Sequence, residues 1–191
     1  MKHAIFPLLG CLLLVTVLVN PVHAQADTEG KIQRAMHAAP ASITSTATVV
    51  DWPSQPGGEM PVLREGTSEW TCITDNPATS EPDPMCMDRS GMEWVTAYMN
   101  QREPQITSVG TVYVLQGGAP MSNTDPFATG PTPDNEWMDP VVPHIGIIVP
   151  DASALEGVST DPDNGGTWVM FRDTPYAHMM VPMPRFEAGE M

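Results

Sequence analysis

Basic side chains are scarce in this sequence: 8 Lys and Arg stand against 23 Asp and Glu over 191 residues. A nucleic-acid partner needs a basic stripe to displace counterions from phosphates, so that class is disfavoured, and an anionic membrane surface is disfavoured for the same reason. Catalytic signatures are missing too. The chain has no G-x-S-x-G elbow, no H-E-x-x-H, no phosphate loop, no G-x-G-x-x-G and no C-x-x-C, which removes the direct arguments for an enzyme. It does not exclude one, because triads are assembled in space and not along the chain. Long apolar runs are also few. The single one, Ala4 to Val19, is shorter than the ~20 residues a membrane span requires.

That run lies behind Lys2 and ends at Asn20-Pro21, and Val22-His23-Ala24 then offers small residues at the positions a signal peptidase reads. The pattern is that of a cleaved secretory signal over residues 1–24, with cleavage after Ala26 as the alternative. Cys11 comes too early in it for a lipoprotein site. Residues 25–191 are then expected to form one globular domain, secreted or periplasmic. Taking Lys2 from the 8 basic residues leaves 7 against 23 acidic ones, a net charge of −16. Such a surface favours solubility and attracts cations.

Only Cys72 and Cys86 remain after cleavage. Two cysteines among polar turn residues of an exported chain are expected to pair. The bridge would close a ring of turn formers, ITDNPATSEPDPM, and in the chain-entropy model is worth about 3 kcal/mol. Proline, at 21 residues, is about twice its usual frequency of roughly 5 %; with the bridge it restrains loops in the unfolded chain.

Ile32, Ala35, Met36 and Ala39 have the spacing of one helix face, closed by Pro40. A second helix follows Cys86, with Ser90 and Glu93 as a capping box. Short strands are expected at 47–52, 61–64 and 69–73, in an arrangement compatible with a meander, and then at 111–116, 143–150, 167–172 and 176–182, with one helical turn over 152–156. Strands outnumber helices. The fold class is therefore α+β, an antiparallel sheet with two helices packed on one face, one disulfide and a long proline-rich surface loop.

That loop is SNTDPFATGPTPDNEW, Ser122 to Trp137. It separates two of the strongest strands, and Phe127 and Trp137 give it the ring anchors a disordered linker would lack. With the acidic turn Ser159–Gly166 it forms the expected recognition surface, through Asp125, Phe127, Asp134, Trp137, Asp161 and Asp163. Clustered Asp and Asn could at most hold a divalent cation such as calcium, but they also make turns, and no cofactor is called for. A second constellation is His144 and His178. His144 shares a face with Gly146 and Ile148, and His178 with Tyr176 and Met180; if these strands pair in register the imidazoles meet on one face. With a loop aspartate such as Asp125 they would suit general-base or metal chemistry. The 14 methionines raise soft-metal binding but read more simply as adaptable core filler.

LREGTSEWTCITD, PMCMD and SNTDPFATGPTPDN together resemble a family of short exported bacterial proteins with no established activity. The resemblance implies one intact domain and assigns no site residue. The sequence thus leads to an exported acidic binding module whose partner is a small molecule or an extracytoplasmic protein. The alternatives are a hydrolase or metal-dependent enzyme on His144 and His178, and an envelope structural protein.

Overall fold

The computed structural model of the chain describes residues 21–55 and 57–184. Of the leader read over 1–24, residues 1–20 lie outside that description, as do 185–191 of the expected domain. Among the described residues no helix is long and apolar enough to cross a membrane.

Ten strands and three helices form in the order α1 (Pro21–Ala35), α2 (Ala41–Thr44), β1 (Thr48–Val50), β2 (Val62–Arg64), β3 (Thr71–Ile73), β4 (Met85–Met87), α3 (Arg89–Met99), β5 (Gly110–Val114), β6 (Met121–Ser122), β7 (Trp137–Met138), β8 (His144–Ile148), β9 (Trp168–Met170) and β10 (His178–Pro182). A 3-10 turn over Ala152–Leu155 precedes β9. Eight strands make one mixed, mostly antiparallel sheet ordered β2-β1-β3-β4-β5-β8-β10-β9, and β6 and β7 form a separate two-stranded ladder. The seven expected strands are present, each shorter than expected, with β5 starting one residue early at Gly110. β4 is an addition: its Cys86 lies directly opposite Cys72 of β3, and the two are joined by the disulfide.

The expected meander does not form. β1 and β3 run parallel, with β2 on the outer side of β1. Gly66 makes this possible. A Cβ there would stand 2.2 Å from the Thr48 backbone nitrogen, so only glycine lets the chain leaving β2 pass over the start of β1 and emerge on its other side. The bonds Gly66 N to Thr48 Oγ1 and Thr67 N to Thr46 O fasten the crossing.

Neighbouring strand residues point to opposite faces, and the packing follows that rule. Val49, Cys72 and Cys86 are buried with Ile32 and Ala35 of α1, whereas Val50, Ile73 and Met87 are buried with Trp94 and Val95 of α3. The two helices therefore cover opposite faces of the sheet. This corrects the expectation that both pack on one face, and the reason is that successive residues of β1, β3 and β4 (Val49 and Val50, Cys72 and Ile73, Cys86 and Met87) are apolar on both faces.

Helix α3 is also capped differently from expectation. Asp88, in extended conformation, is the N-cap and accepts from Gly91 N at 2.8 Å, while its other oxygen accepts from Thr111 N of β5 at 2.9 Å. One carboxylate thus satisfies a free helix donor and ties the helix to the sheet. Close approach is required here as well, because a Cβ on Gly91 would meet Met87 Cβ and Thr111 O at 2.8 Å. Glu93, freed from capping, takes both Nη atoms of Arg102 and the Gln105 amide, and these bonds lower its pKa to about 2.

Candidate functional site

The face covered by α3 is not filled. A cavity of about 340 Å³ lies between that helix and the sheet, within the range of small-molecule sites. Its floor is the inward face of β5, β8 and β10, including Val112, Gly146, Ile148 and Met180; Trp94, Val95, Tyr98 and Met99 of α3 form one wall. Asn76, Thr79 and Asp83, within the disulfide-closed ring, line another side, and Gly118 to Met121 a third. No Lys or Arg is among the lining residues.

Both candidate histidines line this cavity. In the antiparallel pairing Gly146 of β8 lies opposite Met180 of β10, so the residues two positions away, His144 and His178, share its face. The His178 ring lies beside the glycine, its Cδ2 3.5 Å from the place a Gly146 Cβ would occupy. His144 is 9 % exposed and His178 6 %. Each Nδ1 sits against the carbonyl oxygen two residues back, Val142 O at 2.7 Å and Tyr176 O at 2.9 Å. A carbonyl only accepts, so Nδ1 carries the proton and Nε2 is left as a bare acceptor in the neutral ring. Burial holds both rings in that state. It lowers each pKa to about 4 against the opposing pull of the carbonyl, and for His178 the neighbouring His144 pushes the same way.

What the histidines lack is a carboxylate. Asp125, the third member of the expected constellation, is exposed and accepts from Phe127 N in an Asx turn. Among the described residues no three His, Cys, Asp or Glu side chains are grouped so as to hold a metal ion. Asp83 lines the same cavity, with Oδ1 taken by Asn76 N at 2.7 Å and Oδ2 by Thr79 Oγ1 at 2.8 Å; burial raises its pKa despite these bonds.

The loop Ser122–Trp137 is closed at its base by the β6–β7 ladder, in which Ser122 faces Trp137. Phe127, 41 % exposed, stacks on Tyr98 at 5.6 Å and meets Tyr176 edge-on at 5.3 Å, and Tyr98 Oη donates to Pro126 O at 2.7 Å. Phe127 is the ring anchor expected of it. Trp137 is not, because it enters no ring pair and serves in the ladder. The residue that fastens the loop is Asn123, 1 % exposed. Its Oδ1 accepts from Trp168 Nε1 at 3.0 Å, and its Nδ2 donates to Glu136 Oε2 at 2.6 Å and to Thr160 O at 2.9 Å. Sequence reading passes over it, since asparagine in a polar loop looks like an ordinary turn former.

Through Asn123 the two expected recognition loops do lie side by side. Their acidic residues, however, make turns. Asp161 Oδ1 accepts from Asp163 N and its carbonyl from Asn164 Nδ2, while Asp134 is exposed at the loop tip. None of Asp125, Phe127, Asp134, Trp137, Asp161 or Asp163 lines the cavity. Comparison with known proteins gives no match to a family model, a curated sequence or a solved structure.

Proposed function

We propose that this chain is an exported binding protein that holds a small, largely apolar molecule in the cavity beneath α3. The observation that carries the reading is the cavity itself: about 340 Å³, walled by a helix, a sheet face and a disulfide-closed ring, and lined chiefly by apolar side chains. A concave, chiefly apolar space of this volume with a few polar groups is the usual form of a small-molecule site. The ring on Phe127 covers Tyr98, a lining residue, and the loop beside it carries the exposed acidic surface that faces solvent or a partner. Export is supported by the leader pattern and by the disulfide.

The test is direct. 1-Methylnaphthalene, small enough for the space, should raise the melting temperature and shift the amide resonances of β8, β10 and α3. In Gly146→Leu, whose added side chain projects from the cavity floor, both effects should vanish while the fold persists. Unmoved spectra at saturating probe would sink the proposal.

A further inference from the structure

We propose that the molecule this cavity takes is uncharged and carries a hydrogen-bond donor, a hydroxyl or N–H group, received by Nε2 of His144 and His178. This rests on the reading of the cavity as a binding site and names the chemistry of its occupant. The argument begins with the two carbonyls. Val142 O and Tyr176 O each claim an Nδ1 proton, so both rings present acceptors and neither presents a second donor. Among the described residues nothing donates to either Nε2. Both rings are more than nine-tenths buried, yet neither Nε2 is fully enclosed, so a guest that displaced water from these nitrogens without donating would leave the acceptors unpaired, at a cost. The bare backbone at Gly146 leaves the sheet face open beside His178. A guest with one well-placed donor would satisfy what the protein leaves unmet.

Charge is excluded by the same lining. A carboxylate or phosphate would meet two nitrogen lone pairs and the Asp83 carboxyl, with no lysine or arginine among the lining residues to offset its desolvation. A cation could donate to the two Nε2 acceptors but would have to shed its water in a lining whose single carboxyl, Asp83, already has both oxygens bonded to Asn76 and Thr79.

Four probes built on one ring system separate the possibilities at pH 7: 1-naphthol, 1-methylnaphthalene, 1-naphthoate and 1-naphthylmethylamine, with affinities read from amide shifts. In the native chain the naphthol should bind at least as tightly as the methyl compound, despite its more favourable hydration. The naphthoate and the amine should bind at least tenfold more weakly than the naphthol. Replacing the acceptors by His178→Phe or His144→Phe should cost the naphthol about tenfold relative to the methyl compound. The four-probe comparison on the native chain stands even if those variants do not fold. A tenfold preference for 1-methylnaphthalene, as an acceptor-free cavity would show, overturns the inference while leaving the cavity as a binding site. So does tightest binding of the naphthoate or the amine. Failure of all four probes to bind removes the binding site itself.

Discussion

The two faces of the sheet are built from different materials. Toward α1 most buried residues are small: Ala35, Ala38, Ala39, Ala47 and Val49, at exposures of 0 to 1 %, surround the Cys72–Cys86 bridge, and Ile32 is the larger exception. Toward α3 they are large, with Trp94, Met87, Ile148, Met170, Phe171 and Met180 in one cluster. Small side chains let a helix approach until no space is left, whereas rings and thioethers brace against one another and can arch over a void. One face therefore works as a seam and the other as a chamber. Burial alone does not distinguish them, because both are deeply covered. Side-chain size across the covering layer does.

Three measurements would break or sharpen this contrast. The largest expected effect is on the chamber side and depends on pH. Unfolded, each cavity histidine takes up a proton near its ordinary value of 6.5; folded, it does so only near 4. Between those values the unfolded chain binds more protons, so stability is complete above about pH 6.5 and is lost as pH falls toward 4, by about 3 kcal/mol per histidine. Asp83, raised by burial from 3.8, opposes the slope only at its acid end. Denaturant melts from pH 7 to pH 4 should show the loss, and His144→Phe/His178→Phe should flatten it. An unchanged slope in that double variant would mean the chamber is not what keeps these rings neutral.

The second effect belongs to the seam. Cys72→Ala/Cys86→Ala should lower stability by about 3 kcal/mol in denaturant titration, through the entropy of the opened ring, and should also weaken probe binding, because Asn76, Thr79 and Asp83 lie within that ring. The smallest is a matched pair of enlargements. Ala47→Leu on the filled face, where Ala47 is 0 % exposed, should cost about 1–3 kcal/mol by overpacking. Gly146→Val on the open face adds a Cβ with ordinary contacts of 3.5 to 3.8 Å. It should leave stability within about 1 kcal/mol of the parent, or raise it, since glycine is poor in strands. Equal losses at the two positions would erase the distinction between the faces.

Much of the fold was legible because its determinants are local. Seven strands announce themselves by β-branched and aromatic runs between prolines and glycines, and alternation puts His144 and His178 on one face provided their strands pair, as β8 and β10 do. What could not be read is set at longer range. β4 is three residues between Pro84 and Asp88, too short to carry a pattern, and exists because Cys72 lies opposite it. The parallel pairing of β1 with β3 turns on one close approach at Gly66. Ser90 and Glu93 carry the cap signature, yet Asp88 does the capping because it can also reach Thr111 across to β5. The cavity leaves no trace in the chain at all. A void is what remains when side chains from α3, β5, β8, β10 and a disulfide ring fail to meet, and no spacing records that.

The ring between Cys72 and Cys86 gives one further consequence. Its closure fastens the segment that bears Asn76, Thr79 and Asp83. A newly made chain with separate thiols would have one side of the cavity unlatched, so a guest of the kind proposed would be loaded only after oxidation, in whichever compartment performs it.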